Sequence, residues 1–176
     1  FAYSPTDDIL VGMSEHMNLI HHAKKYIYIN TPYLILNDAI SRALKVASES
    51  GVDVRILVPH IPDKKLVFQI TRHSYKALIE SGIKIYEFTP GFNHSKAIVC
   101  DDEYGLVGSI NTDFRSYFLH FEDAVLMYKT EAVKDVKEDF LQSLEKSHEV
   151  TMKEVNRTPL ILKIIRAILT LFIPLV

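Results

Sequence analysis

The residues most able to do chemistry lie in one stretch, where a histidine, a lysine and an aspartate precede a Gly-Ser-x-Asn segment. In order, these positions are His94, Lys96, Asp101, Gly108, Ser109 and Asn111. At ordinary residue frequencies, six such identities at fixed spacing would occur in 176 residues with a chance probability on the order of 10⁻⁶. We therefore interpret the pattern as a functional site.

The sequence around this pattern predicts a β-hairpin that gathers its polar side chains. Residues 94–99 alternate in character, so that a strand would place His94 and Lys96 on one face. A turn and a second short apolar run follow, and they lead to Ser109 and Asn111, two residues apart and so also on a common face. We expect the hairpin to bring four polar side chains to one point.

These side chains suit an attack on a phosphodiester. An imidazole can serve as nucleophile or proton donor near neutral pH, since its unperturbed pKa is about 6.5. Lys96 as a point charge, with Ser109 and Asn111 as hydrogen-bond donors, would stabilise the negative charge that grows on the phosphate oxygens as a nucleophile adds. The prediction is an anion-binding catalytic site without a metal.

A single histidine leaves the predicted reaction incomplete. If one imidazole attacks phosphorus, a second group must protonate the departing alcohol and later activate the incoming one. The chain has no second copy of the pattern, since His22 and Lys24 match its first positions but Ile29 stands where the aspartate belongs. The residues therefore predict half of a site.

Composition limits the remaining possibilities. A length of 176 residues with 48% hydrophobic content fits one domain with a real core. A net charge of −2 and a pI near 6.5 lack the basicity of a protein held to nucleic acid, so nucleic acid is not expected as a partner. The lone Cys100 excludes an internal disulfide, and the scattered histidines predict neither a metal nor another cofactor.

Apolar runs alternate with helical patterns, which predicts an α/β fold. Helices are expected from a cap at Asp7 to about Lys25, over 38–50, over 64–81 and from Glu131 to about Val150, and strands over 26–30, 52–58, 83–88 and 121–128. Tyr33, His60 and Asp63 follow strands, where ligands usually gather in open α/β sheets, but the favoured interpretation of Tyr33 is core packing.

Several blocks of sequence carry a closer resemblance. Residues 29–33, 51–56, 82–88 and 113–116, together with the His94 pattern, resemble in order the C-terminal half of bacterial cardiolipin synthases of the phospholipase D superfamily. The resemblance implies a phospholipase D-like fold, a mixed β-sheet flanked by helices, as one repeat of a two-repeat enzyme. The other histidine–lysine–aspartate motif would lie in a missing N-terminal half, and Phe1 in place of Met fits a chain cut from something longer.

The resemblance also implies roles for individual residues. The catalytic motif would consist of His94, Lys96 and Asp101, with Ser109 and Asn111 at the phosphate. In two-motif relatives the nucleophile is usually the first-half histidine, which makes His94 the general acid and base. Asp101 is expected to fix the hairpin through hydrogen bonds. Glu122 matches a carboxylate that can orient a histidine ring, and His120 stands where relatives usually have asparagine.

The implied reaction is transfer of a phosphatidyl group between two phosphatidylglycerol molecules, giving cardiolipin and glycerol through a phosphohistidine. The implied partners are phosphatidylglycerol, cardiolipin, an anionic bacterial cell membrane with the catalytic domain on its cytoplasmic side, and the missing half or a second copy of this chain. The isolated half would be inactive unless paired. The alternative is a generic phosphodiesterase, a lipid hydrolase or nuclease, that acts as a homodimer of one-motif chains.

Residues 159–176 form a separate segment after a predicted catalytic domain over 1–158. Residues 160–173 are almost wholly apolar, but Lys163, Arg166 and Thr170 recur at helical spacing and predict one narrow cationic stripe. Spanning a bilayer takes roughly 20 apolar residues, so we expect an interfacial helix on an anionic membrane. The alternative is a helix that packs on the domain or on a partner.

Overall fold

The computed structural model describes residues 1–173, which form a mixed β-sheet flanked by helices. The strands are β1 (Ala2–Tyr3), β2 (Tyr26–Asn30), β3 (Leu34–Ile35), β4 (Asp53–Pro59), β5 (Lys84–Phe88), β6 (Ala97–Cys100), β7 (Tyr104–Gly108), β8 (Thr112–Asp113), β9 (Glu122–Tyr128) and β10 (Ser147–Glu149). The helices are α1 (Val11–His22), α2 (Asp38–Glu49), α3 (Lys65–Glu80), α4 (Phe114–Phe118), α5 (Glu131–Glu145), α6 (Met152–Arg157) and α7 (Leu160–Thr170).

Eight strands form one sheet in the order β1-β9-β7-β6-β2-β4-β5-β10, and β3 pairs separately with β8. Strands β2, β4 and β5 run parallel to one another, as strands joined by helices do. All other neighbours in the large sheet are antiparallel. The predicted α/β fold, with a mixed sheet flanked by helices, is confirmed.

Strand β2 lies in the middle of this sheet, and all five of its residues are buried. Its two-residue period sends Ile27 and Ile29 into the core shared with α1 and α2, and Tyr26 and Tyr28 into a second core shared with α5. Tyr28 stacks on Phe140 of α5 with ring centroids 5.0 Å apart. A slip of one residue would exchange the two sets, so this alternation fixes the register of the strands around β2.

Two helices have other bounds than the sequence predicts. Helix α1 begins at Val11 because the carboxylate of Asp7 accepts hydrogen bonds from the backbone and hydroxyl of Ser4, and so closes a turn instead of capping the helix. The helix predicted to reach Val150 ends at Glu145, and the chain continues as β10. Strand β10 covers the edge of β5, a pairing that the local helical pattern does not reveal.

The predicted hairpin is present as β6 and β7, but its first strand is shorter than expected. Strand β6 begins at Ala97, so His94 and Lys96 lie in the segment before it. The prediction that they share one face of a strand is therefore wrong. The turn contains Asp101 and Asp102 at φ values of 55° and 60°, the left-handed conformation that a type I′ turn requires.

The C-terminal helix α7 turns its arginine toward the protein. Arg166 is only 7% exposed, and its Nε donates to Gln69 of α3 at 2.9 Å. On the opposite side Ile161 is 70% exposed, and Leu171 just beyond the helix is 77% exposed. The arginine that the prediction assigned to lipid headgroups thus faces α3, while apolar side chains face outward. Residues 174–176, the end of the predicted C-terminal segment, lie outside the described residues.

None of the helices within residues 1–173 has the length and apolar character needed to cross a membrane.

We predict that Gly108→Ala destabilises the domain. A Cβ at this position would lie 2.6 Å from the Cα of Ala124 on β9, closer than backbone atoms tolerate. Overpacking of this kind costs roughly 1–3 kcal/mol, so urea denaturation should show a lower free energy of unfolding. Gly91→Ala is the matched control, because nothing lies within 4 Å of a Cβ added there. Equal stability of the two variants would contradict the prediction.

Candidate active site

Lys96 and Ser109 lie side by side at the open end of the hairpin. The backbone N–H of Gly108 donates to the carbonyl of Lys96 at 3.3 Å, which joins the segment before β6 to the end of β7. Ser109 follows directly. Its hydroxyl donates to the carboxylate of Glu122 and accepts the N–H of Asp123 at 3.0 Å. The structure thus brings Lys96, Ser109 and Glu122 together.

The ring of His94 stands at the surface between aromatic side chains. It stacks on Phe92 with ring centroids 5.3 Å apart and meets Tyr33 edge-on at 6.4 Å. The Nζ of Lys96 donates to the carbonyl oxygen of His94 at 2.7 Å, so the ammonium lies beside this residue. Among the described residues no side chain hydrogen-bonds to either ring nitrogen of His94, which leaves both available to a substrate.

Burial and the surrounding charges shift the pKa values of His94 and Lys96. Burial, followed by the charge of Lys96, lowers the pKa of His94, against a smaller opposing effect of Asp63. Burial also lowers the pKa of Lys96, although the carboxylates of Glu122 and Asp113 oppose that shift. The free imidazole is therefore neutral at neutral pH, the form that can accept a proton or attack phosphorus.

Two loops at the carboxyl ends of parallel strands close one side of the site. Tyr33 follows β2, and its hydroxyl donates to the carboxylate of Asp63, which follows β4. The Nζ of Lys64 lies 5.5 Å from the centre of the Tyr33 ring. Tyr33 packs partly against the core, as expected, but it also contacts His94. The sequence signal for both Tyr33 and Asp63 was their position directly after parallel strands.

Asn111 lies at the base of the site. It is 8% exposed, and its amide nitrogen donates to the hydroxyl of Ser116 at 3.1 Å. Its side-chain oxygen has no partner within residues 1–173. Asn111 lines a cavity of about 40 Å³ together with Tyr33, Lys64 and His120. One amide hydrogen is used by Ser116, which leaves one for a phosphate oxygen.

His120 connects Glu122 to Arg115. Its Nδ1 lies 3.5 Å from Oε1 of Glu122, and its Nε2 accepts a hydrogen bond from Nε of Arg115 at 3.3 Å. Because arginine can only donate, Nε2 carries no proton, and a neutral ring holds its proton on Nδ1 facing the carboxylate. The histidine that Glu122 reaches within this chain is therefore His120 and not His94.

Asp101 lies away from the reactive side chains. Its carboxylate accepts the backbone N–H groups of Lys24, Lys25 and Tyr26 at 2.6, 2.9 and 2.9 Å. It follows the last residue of β6, about 17 Å along the chain from Lys96 at the rise of an extended strand. This is the placement of a residue that positions the hairpin against β2, out of reach of a substrate held at His94.

The assembled groups can bind an oxyanion and exchange a proton with it. Lys96 supplies a positive charge, Ser109 a hydroxyl, and His94 a neutral imidazole at the surface. Among residues 1–173, no three side chains of His, Cys, Asp or Glu are grouped so that they could hold a metal ion.

Residues 17–144 match the protein-family model described as cardiolipin synthase, PLD-like domain. The chain is 42% identical over 175 residues to an uncharacterized protein of Streptococcus mutans, covering 99% of this chain and 38% of that protein. It is 39% identical over 158 residues to a cardiolipin synthase of Halalkalibacterium halodurans, covering 90% of this chain and 31% of that protein. The chain thus spans about a third of the length of these relatives.

The fold is similar to that of Nuc, a phospholipase D family member from Salmonella typhimurium whose crystal structure superimposes with a TM-score of 0.68. The two chains are 20% identical, and the match covers 78% of this chain and 90% of Nuc. At this identity the likeness shows a shared fold.

We predict that His94 titrates below the ordinary histidine pKa of 6.5, because burial and the charge of Lys96 disfavour the imidazolium. Lys96→Gln removes the neighbouring charge and should move the pKa of His94 upward, which NMR titration of the ring protons would measure. Lys153→Gln, on the exposed surface of α6, is the control and should leave the pKa of His94 unchanged. An unaltered His94 titration in Lys96→Gln would rule out the proposed electrostatic contact.

Proposed function

The chain belongs to the PLD-like domain family of cardiolipin synthases, and we propose that it is the second, C-terminal half of such a phospholipid-modifying enzyme. The observation that carries this proposal is a site with one reactive imidazole, His94, beside the anion-binding groups of Lys96 and Ser109. Because one imidazole cannot attack phosphorus and protonate the leaving group in the same step, a second group is required, and in the proposed enzyme it is a histidine of another half.

The surroundings of the site support the presence of a missing half. Phe121, next to Glu122, is 80% exposed, and Leu119 and Phe92 are exposed as well. Apolar side chains exposed together in this way favour an interaction surface. Because the chain spans 31% of its Halalkalibacterium relative, a protein of that length has room for a second domain of this kind.

In the proposed reaction, the histidine of the missing half attacks the phosphorus of phosphatidylglycerol, and the bond from phosphorus to the glycerol oxygen breaks. His94 gives its proton to that oxygen, so glycerol leaves and a phosphohistidine remains. Neutral His94 then takes the proton from the hydroxyl of a second phosphatidylglycerol, whose oxygen attacks phosphorus and displaces the histidine. The products are cardiolipin and glycerol.

The lowered pKa of His94 suits this double role. In the free enzyme the ring is neutral, but a bound phosphodiester brings a negative charge that opposes Lys96 and raises the pKa of His94. The protonated ring needed for the first step therefore forms when substrate is bound. Lys96 and the free amide hydrogen of Asn111 hold the phosphate oxygens as their charge grows. Ser109 joins them when its hydroxyl, which donates to Glu122 in the free chain, turns its hydrogen to the phosphate.

We assign positioning roles to the motif residue Asp101 and to Glu122. Asp101 holds the turn against the start of β2. It thereby sets the register of β6 along β2, and with it the position of the His94 segment before β6. Glu122 fixes the hydroxyl of Ser109 and, in the proposed assembly, orients the histidine of the missing half.

Hydrolysis by a pair of identical chains is the second candidate function. The match to Nuc covers 90% of that protein, so its chain is about one such domain long. A symmetric pair of chains would bring two copies of His94 to one site. Water would then resolve the intermediate in place of a lipid hydroxyl.

We predict that His94→Ala lowers the rate of cardiolipin formation by the full-length protein about 10²- to 10⁴-fold, the usual contribution of a general acid and base. Incubation with phosphatidylglycerol vesicles and identification of the lipid products would measure the rate. Cardiolipin with glycerol supports transfer, whereas phosphatidic acid alone supports hydrolysis. His22→Ala, an exposed histidine at the end of α1, is the control and should keep full activity.

Retention of activity by His94→Ala would refute the proposed function. Trapping the phosphohistidine in the full-length protein tests the division of roles separately. The label should fall on a peptide from the other half, and label on a peptide that contains His94 would reverse the two roles.

We also propose that residues 1–158 form the catalytic domain and that residues 159–176 contact an anionic membrane. The support comes from α7, whose outward side carries exposed apolar side chains. The exposed members of this side are Leu160, Ile161, Ile164, Ile165 and Ile168. A helix with such a face lies in the interface of a bilayer when no protein covers it.

We predict that Ile161→Gln combined with Ile168→Gln weakens binding of the chain to phosphatidylglycerol vesicles by about tenfold or more. The reason is that burying one such side chain is worth about 1.5–3 kcal/mol. Flotation of vesicles would measure the bound fraction. The control is Ile9→Gln with Val46→Gln, two equally exposed apolar residues outside α7, and binding reduced equally in both double variants would reject the assignment.

A further inference from the structure

Two adjoining cavities lie where α3, α6 and α7 meet, apart from the residues around His94. The larger cavity has a volume of about 270 Å³ and the smaller one about 150 Å³. They share four lining residues, which are Arg72, Val155, Thr158 and Arg166. We call the smaller cavity, lined by residues of α3, α6 and α7 and by Thr158, the basic cavity.

The buried carboxylate of the larger cavity is paired within the protein. Glu87 is 2% exposed, and Arg72 binds both of its carboxylate oxygens at 2.9 and 2.7 Å. The hydroxyl of Tyr75 donates to Glu87 at 3.1 Å, and Nδ1 of His60 lies 2.7 Å from the same carboxylate. Glu87 therefore has its ion pairs with Arg72 and His60 and forms none with Arg166, on whose pKa its charge has one of the smaller effects.

Arg166 has no such partner. Within residues 1–173 it forms no salt bridge, and its one hydrogen bond goes from Nε to the neutral amide of Gln69. Its two terminal guanidinium nitrogens have no hydrogen-bond partner within residues 1–173, and the side chain lines both cavities. Burial, followed by the nearby charge of Arg72, lowers the pKa of Arg166. Since an arginine does not lose its proton, a buried charge remains that an anion would stabilise.

The lining of the basic cavity is cationic. It combines Arg72, Lys76, Lys163 and Arg166 with His73, and none of its lining residues is acidic. Lys76 has a distant exposed partner in Glu80 at 3.7 Å, and Lys163 donates only to the backbone carbonyl of Asn156 at 3.3 Å. Arg72 and Lys76 are paired with Glu87 and Glu80, so within residues 1–173 the cations of this lining without a carboxylate partner are Arg166 and Lys163.

We propose that the basic cavity binds the oxyanion of a phosphate ester, held by Arg166 and Lys163 with the hydroxyl of Thr158. A guanidinium presents paired N–H donors that match phosphate oxygens, and Lys163 adds a mobile point charge. A volume of about 150 Å³ suits a small anionic group and not a whole lipid. The ester is either a soluble phosphate or the headgroup phosphate of a lipid, since α7, which lines the cavity with Lys163 and Arg166, also carries exposed apolar side chains on its opposite side. The proposal is independent of the function proposed for His94.

Hydrogen–deuterium exchange in the full-length protein tests this site without interference from the catalytic one. Glycerol phosphate, compared with sodium chloride at equal ionic strength, is the soluble probe, and phosphatidylglycerol vesicles compared with phosphatidylcholine vesicles are the lipid probe. We expect one of them to slow exchange in the peptides that cover α3 and α6. In Arg166→Gln, about ten times more probe should be needed for the same protection, because a charge-assisted contact is lost.

Arg157→Gln is the matched control, because it removes the same charge from an exposed position on α6. Protection by glycerol phosphate identifies a soluble ester, and protection by phosphatidylglycerol vesicles alone identifies a lipid headgroup. Either result supports the site when the protection is kept in Arg157→Gln and lost in Arg166→Gln. If Arg166→Gln unfolds by circular dichroism, Lys163→Gln takes its place. Absence of protection by both probes, or protection unchanged in the folded variant, overturns the proposal.

Discussion

The antiparallel pairing of β6 with β2 is the interaction on which the site depends. The register sets Ile27 opposite Cys100 and Asn30 opposite Ala97, and Asp101 anchors the turn beyond Cys100 to the start of β2. Strand β6 must therefore begin where β2 ends. His94 and Lys96 consequently emerge at the edge where the loops after β2 and β4 also emerge, which is why residues from three distant parts of the chain surround one imidazole.

The hairpin that groups the candidate site residues could be predicted because its signal is local. The spacing from His94 to Asn111, the turn residues after Cys100 and the short run over 104–107 indicate a hairpin without reference to the rest of the chain, and strands β2, β4, β5 and β9 follow from apolar runs. The contacts of Tyr33 with Asp63 and of His120 with Arg115 could not be predicted. They depend on which loops the strand order brings together and on side-chain direction at the end of a short helix.

The strands that escaped prediction share one property, which is that pairing and not propensity makes them. Strands β1, β3, β8 and β10 have two or three residues each, and each exists because a neighbouring strand offers unpaired backbone groups.

Helix α7 shows a related limit of prediction from sequence. Its periodicity located Arg166 and the apolar side correctly, but periodicity does not state which side meets the protein. That choice depends on Gln69 and on the space beside α3.

The net charge of a sequence likewise does not show where the fold concentrates charge. A net charge of −2 disfavours a protein covered in cations, yet this chain concentrates positive charge at two partly buried places, around Lys96 and around Arg166. Burial makes each of these charges act more strongly on a nearby anion than an exposed lysine would, because water screens it less. A composition that is neutral or acidic overall is therefore compatible with selective binding of phosphate. A cation that the backbone places out of solvent provides a local site for an anion, and it does not require the net positive charge that gives a general affinity for polyanions.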